Sequence, residues 1–307
     1  MQHKAKNSTS DIQMLIDDAL QSYKDNPIDL LNIGDSVGEY HYLAQHKNEY
    51  ERTVRDVLTY AGHEADYSSI KVLEIGAFLG IVSIVLAKLG FKVTVTDIEE
   101  FISCPRLQQK FNASNIEWAS SNLRSHRLPF DDEEYDVVIM CETLEHLNFN
   151  PLPIIQEINR TLRPKGLLYL TLPNIASLHN RLTLLQGKSI HNPIKHFLAQ
   201  LDANDNMIVG LHWREYTAEE IKEMLELMKF TIVQQKYDPV PNGIDKKSFK
   251  KIIKKSLYRL LNTPFIRKII YSALVDPDDP SLNRTQVNLA LKSGRSERQF
   301  YFTDATK

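Results

Sequence analysis

The sequence predicts an α/β fold with a mostly parallel sheet covered by helices on both faces. Three observations predict it. From residue 70 onward, short apolar runs rich in β-branched residues alternate with amphipathic segments. Most of those runs are apolar at nearly every position, the pattern of strands buried on both faces. The first run ends in a glycine turn, Gly76 to Gly80, that opens into an apolar helical segment.

Helical spacing over 11–24 and 39–61 predicts an N-terminal helical cover, residues 1–64. Strands follow at 70–75 (IKVLEI), 91–96 (FKVTVT), 115–119 (NIEWA), 135–141 (YDVVIMC) and 166–172 (GLLYLTL). Helices are expected between them at 79–89, 104–111 and 151–163. Thr217 and Glu220 form a T-x-x-E capping box that starts a helix over 218–228. Strands at 229–236 and 285–292 complete the core, which spans 65–237 and 285–295. Two segments stand outside the alternation: a cap insertion at 174–211 and a basic insertion at 238–284. Insertions at such places usually cover or select a ligand.

The 307 residues carry a net charge of −2, so no global field draws nucleic acid, which is the less expected partner. Residues 246–268 nonetheless hold nine Lys or Arg and no acid. In "FKKIIKKSLYRLL" they flank an apolar stripe, a pattern suited to an anionic membrane surface, to RNA phosphate or to a solvated basic face. The two cysteines, Cys104 and Cys141, match no zinc or redox spacing. The polar start and the lack of an apolar run of ~18 residues predict a soluble cytoplasmic protein, peripheral at most to the inner membrane face.

Asp97 ends the second strand 21 residues after Gly76. An acid at about that distance binds the hydroxyls of a ribose. The dinucleotide fingerprint would need glycine at 78 and 81, where the chain has Phe78 and Ile81. A pyrophosphate needs that open nest. The pattern therefore points to a nucleoside cofactor without phosphate, S-adenosylmethionine.

"CETLEHL", residues 141–147, follows the fourth strand. Ligands of open α/β sheets bind beyond the carboxyl ends of the strands. A helix starting near 142 would put Glu142, Glu145 and His146 on one face at that edge. His212, just before the capped helix, belongs to the same edge. Three readings stay open. The four side chains hold a divalent metal, Mg²⁺ or Mn²⁺; or His146 acts alone as a general base; or the acids serve the helix dipole.

With these segments in order, the chain resembles class I S-adenosylmethionine-dependent methyltransferases over roughly residues 65–237. The stretches that carry the resemblance are "VLEIGAFLG", "TD" at 96–97, "LPFDDEEYDVVIMCETLEHL", "LRPKGLLYLTLPN" and "HWREYTAEEIKEMLELMKF". The chain departs from that family at Phe78, where many members have glycine, and at Asn122, where an acid often meets the adenine amino group. The resemblance implies a doubly wound Rossmann-like sheet, mostly parallel with an antiparallel last strand, plus helical cap insertions. It implies a cofactor site made of Glu74, Gly76, Ala77, Gly80, Asp97, Ile98, Asn122, Leu123 and Cys141. His146 and Glu145 become the catalytic candidates, with Glu142, Glu145, His146 and His212 as the metal set. E-x-x-E-H with a later His is similar to small-RNA 2′-O-methyltransferases and to ubiquinone-pathway O-methyltransferases.

The two insertions look like those of bacterial glycan- and glycolipid-pathway O-methyltransferases. The expected acceptor is therefore a hydroxyl of a small-molecule or lipid-linked sugar. The alternatives are an RNA 2′-O- or a quinone/catechol-type O-methyltransferase. From a different class, the alternative is a non-catalytic cofactor-binding regulatory or assembly subunit.

Overall fold

A computed structural model describes residues 9–31, 37–62, 66–202, 210–237 and 285–293. The basic stripe at 246–268 lies outside the described residues, as does the whole segment 238–284 between the last two strands.

Three helices precede the core: α1 (Thr9–Asp25), α2 (Tyr40–Gln45) and α3 (Lys47–Ala61). The single helical stretch expected over 39–61 is broken at His46. The core runs β1 (Lys71–Ile75), α4 (Ile81–Lys88), β2 (Lys92–Asp97), α5 (Glu99–Ile102), α6 (Pro105–Ala113), β3 (Glu117–Ser120), β4 (Tyr135–Cys141), α7 (Leu152–Thr161) and β5 (Leu162–Pro173). It continues with α8 (Leu178–Leu185), α9 (Ala218–Leu227), β6 (Phe230–Tyr237) and β7 (Thr285–Lys292). The seven strands form one sheet, ordered β3-β2-β1-β4-β5-β7-β6. β1 to β5 pair in parallel, and β7 lies antiparallel between β5 and β6. This is the mostly parallel sheet with an antiparallel last strand that the sequence predicts.

Period two along the central strands sorts their residues between two layers. Val72, Val137, Ile139, Leu167 and Tyr169 pack under α1, α3, α4 and α6. Leu73, Ile75, Val138, Met140, Leu168 and Leu170 pack under α7 and α9. Both sets are almost wholly buried, which is why these runs read as continuously apolar. The N-terminal cover is also tied on by polar contacts. Asp56 of α3 accepts from Tyr169 Oη at 3.0 Å and from Lys236 Nζ at 2.7 Å. The capping box at Thr217 and Glu220 forms as expected.

The turn after β1 needs its first glycine for two reasons. Gly76 has φ +71°, and a Cβ there would overlap the Thr143 hydroxyl. Gly76→Ala combines left-handed strain with overpacking and is expected to cost roughly 2–5 kcal/mol. Urea denaturation checks this; an unchanged midpoint would mean that the turn relaxes without strain.

Candidate functional site

The carboxyl ends of β1, β2, β4 and β5 meet at one edge of the sheet, and the sequence-predicted residues gather there. Phe78, where the family resemblance leads one to look for glycine, keeps a glycine-like backbone with φ +49°. Two contacts hold it. Its N–H donates to Asp97 Oδ2 at 2.7 Å, and its ring sits edge-on to Tyr42 and Phe101. The turn thus takes a left-handed backbone at Phe78 without a glycine. Asp97 Oδ1 also accepts from the Ile98 N–H at 2.7 Å, so the acid is fixed at the end of β2. Burial raises its carboxyl to about 6 despite those two bonds.

Glu74 is buried on β1 and accepts from the Ser83 hydroxyl of α4. Burial pushes its carboxyl up to about 7. A carboxyl raised on folding is protonated in the folded chain while ionised in the unfolded one. Its contribution to stability is complete below about 4.5 and is lost as pH rises to about 7. That loss is on the order of 3 kcal/mol for Glu74. Glu74→Gln is expected to flatten this part of the stability–pH curve of the ligand-free protein. An unaltered slope would place the proton elsewhere.

The remaining cofactor candidates line the same edge. Gly80 (φ +65°) opens α4, and a Cβ there would come within 2.6 Å of Phe111. Ala77 and Leu123 are buried. Asn122 caps the turn at Leu123–Ser125, its Oδ1 accepting from Arg124 N at 3.0 Å. Cys141 ends β4 with its sulfur 3.9 Å from Thr53 Oγ1 of α3, and burial raises its thiol to about 12. It is an inert wall.

No α-helix begins at 142, contrary to expectation. Glu142 takes φ +47°, and a single 3-10 turn follows at Leu144–His146. The reason lies in the strand end: Glu142 N donates to Thr171 O, and its Oε1 accepts from Thr171 Oγ1 at 2.9 Å. β5 thus holds Glu142 at the sheet, and the three residues never share a helix face.

Three of the four predicted metal ligands still come together. Donor atoms of Glu145, His146 and His212 lie within 4.8 Å of one another. Glu142 stands outside that group, and burial raises its carboxyl to about 6. The two imidazole rings meet edge to face, with centroids 5.0 Å apart. His146 Nδ1 donates to the Leu211 carbonyl at 2.9 Å, which leaves Nε2 with its lone pair, 3.8 Å from Glu145 Oε1. Burial lowers the proton affinity of this ring. His212 Nδ1 faces Glu215 Oε1 at 3.0 Å.

Glu145 is 1% exposed, and among the described residues neither carboxylate oxygen has a hydrogen-bond partner. Burial and the neighbouring Glu142 hold its carboxyl well above the usual range. A strap formed by residues 211–216 organises the group from above. It supplies the Leu211 carbonyl, His212 and Glu215, and its Trp213 N–H donates to Glu145 O at 2.8 Å. The sequence reading missed Thr171, Thr143 and Glu215. Only Glu215 left a trace, three residues after His212.

A sheet of this order with a glycine turn after β1 and an acid at the tip of β2 defines a Rossmann-like methyltransferase domain. The chain belongs to the family described as "Methyltransferase domain", whose pattern matches residues 44–235. That span includes α3 and the whole site.

Curated relatives include the ubiquinone biosynthesis O-methyltransferase of Actinobacillus pleuropneumoniae serotype 5b, 31% identical over 108 residues, or 34% of this chain and 46% of that protein. The protein of the same name from Xanthomonas oryzae pv. oryzae (strain PXO99A) is 28% identical over 118 residues, 38% of this chain and 48% of that one. The chain thus spans a little under half the length of the curated relatives it matches. Among solved structures, the PH0226 protein of Pyrococcus horikoshii OT3 is similar at a TM-score of 0.49 and 17% identity, with 81% of this chain and 92% of that one covered. Among the described residues, no helix is long and apolar enough to cross a membrane.

Proposed function

We propose that the protein is an S-adenosylmethionine-dependent O-methyltransferase that acts on a hydroxyl with a second oxygen beside it. The observation that carries the reading is the group of Glu145, His146 and His212 at the strand edge where Gly76 and Asp97 also lie. Asp97 would hold the donor's ribose, with Ala77, Ile98, Asn122 and Leu123 around the adenosine.

The three side chains fit a divalent cation. Glu145 offers a buried carboxylate with no hydrogen-bond partner among the described residues, and each imidazole is held by a contact at Nδ1, which leaves Nε2 as the nitrogen for an ion. The mixed oxygen and nitrogen donors suit Mn²⁺ or Mg²⁺. Such an ion would hold neighbouring oxygens of the acceptor and ease loss of the hydroxyl proton. The chain's own part is to fix these donors, bury them from water and place the acceptor oxygen in line with the sulfonium methyl. Bound S-adenosylmethionine would supply a methyl on positively charged sulfur: the sulfur would keep the C–S electron pair as the O–C bond forms, and the acceptor's proton would leave to a base or to solvent. A second reading needs no metal. The exposed lone pair of His146 Nε2 takes the acceptor's proton directly.

The quinone/catechol-type alternative now has more support than the glycan acceptor expected from the sequence. The curated relatives are named for ubiquinone biosynthesis. The basic insertion that favoured a glycolipid lies outside the described residues. Catechols and sugar diols share the neighbouring-oxygen chemistry, so a screen separates them. Labelled donor is offered with catechols, nucleotide sugars, polyprenyl-linked sugars and short RNAs, with EDTA or with Mg²⁺ or Mn²⁺. Transfer to catechols that EDTA abolishes is the expected result. Transfer to a sugar alone moves the acceptor class, and full activity in EDTA leaves the His146 reading. No turnover of the donor with any of these would favour a non-catalytic subunit.

Donor binding is a separate expectation. Asp97→Ala removes a charged double hydrogen bond to the ribose, costing on the order of 1.5–3 kcal/mol of affinity. Calorimetry with a folded variant checks it, and wild-type affinity would remove Asp97 from the donor site.

A further inference from the structure

The cap insertion reaches the proposed acceptor site through a chain of polar contacts. Asn180 on α8 donates from Nδ2 to Glu215 Oε2 at 3.0 Å and to the Ile175 carbonyl at 3.1 Å. Glu215 Oε1 faces His212 Nδ1 at 3.0 Å. The backbone N–H of His212 donates to Asn192 Oδ1 at 2.9 Å, again from the insertion. The segment that sequence reading set apart as a cap thus grips His212 directly at its backbone, and at its ring through Glu215, which Asn180 holds.

We propose that Glu215 is a positioning residue for His212, and that Asn180 anchors it. A carboxylate is the group the geometry requires. Two donors, His212 Nδ1–H and the Asn180 amide, face its two oxygens, and an ionised carboxylate accepts on both. The acceptance fixes His212 as the Nδ1–H tautomer and leaves Nε2 as its lone-pair nitrogen in the group with Glu145 and His146. Arrangements of this kind orient and strengthen ligating imidazoles. The cap insertion therefore does more than cover the acceptor. Through Asn180 it holds Glu215, the residue that sets the tautomer of His212.

Glu215→Gln tests this sharply because it keeps the shape and removes one acceptor. Glutamine has one oxygen for two donors. With that oxygen on Asn180, its NH2 faces His212 Nδ1, and the ring must carry its proton on Nε2. The inference rests on the proposed reading of Glu145, His146 and His212, so its test has one arm that needs no metal. In metal-free protein labelled with 15N-histidine, long-range 1H–15N spectra report each ring's tautomer. His212→Gln identifies the signal. The expected result is Nδ1–H for His212 in the wild type and a shift toward Nε2–H in Glu215→Gln. Neither a loss of packing nor a small change in Tm would produce that signature.

In the second arm, Mn²⁺ alone is titrated by electron paramagnetic resonance. Affinity is expected to fall roughly 10- to 100-fold in Glu215→Gln. An unchanged tautomer with unchanged Mn²⁺ affinity overturns the proposal. A wild type that binds no Mn²⁺, with a tautomer that still shifts in the variant, sinks the metal reading and leaves the positioning role standing. Should Glu215→Gln not fold, Asn180→Ala decides. Loss of the anchor is expected to mix the His212 tautomers and weaken Mn²⁺ severalfold, and a wild-type spectrum would overturn the coupling to the cap.

Discussion

Replacing His146 with alanine is expected to lower methyl transfer by roughly 10²- to 10⁴-fold, the range a positioned acid–base group contributes. The loss is expected under both readings, because Nε2 of His146 either takes the acceptor's proton or helps hold the ion that eases its loss. Donor affinity should be preserved, since Asp97 and the Gly76 turn belong to other strands. The alanine variant also breaks the Nδ1 bond to the Leu211 carbonyl and so loosens the strap over the site. His146→Asn separates the two effects. Its side-chain amide can still donate to that carbonyl but carries no atom at Nε2. Both variants are assayed with labelled donor under saturation, with calorimetry for donor binding. If asparagine restores activity to within tenfold of wild type, the strap alone mattered, and His146 leaves the chemistry.

Much of the fold was legible because burial on two faces writes itself into composition. Runs such as YDVVIM and LLYLTL are apolar at consecutive positions, since alternate side chains enter different layers that are both dry. Cys141 was placed at a strand end by the same reading, and it closes β4. Boundaries were less legible. β5 begins at Leu162, inside the stretch read as helix 151–163, because its first residues pair with β4 at Tyr135. The site was legible where residues lie close in sequence to a strand end, as Gly76, Asp97 and His146 do. It was illegible where a long-range bond decides the backbone. Glu142 is held by Thr171, 29 residues away, and that bond replaces the expected helix with a tight turn. The strap at 211–216 shows the same limit. Its hold on His146 spans 65 residues, and no local pattern announces it.

Glu145→Gln is expected to stabilise the metal-free protein while removing its activity. In the wild type the carboxylate is buried at 1% exposure, and among the described residues neither oxygen has a hydrogen-bond partner. A buried ion in that state costs several kcal/mol unless it binds a proton. Burial and Glu142 indeed raise its proton affinity well above the ordinary value of 4.5. Folding therefore takes up a proton here, and stability is lost as pH rises above the unfolded value. An amide of the same shape has no charge to desolvate. The variant should gain roughly 1–3 kcal/mol, more toward alkaline pH where the wild type is penalised most. The same substitution removes the one anionic donor of the group. Mn²⁺ should raise the Tm of the wild type, by an amount that corresponds to about 2.7 kcal/mol at one hundred times Kd, and leave the variant unmoved. Methyl transfer should fall at least about 10²-fold in the variant. Melting curves at pH 6 and pH 8.5, each with and without MnCl2, give all four comparisons. A variant less stable than wild type without metal would mean that the carboxylate has a structural partner. Equal stabilisation of both proteins by Mn²⁺ would move the ion away from Glu145 and return the chemistry to His146 alone.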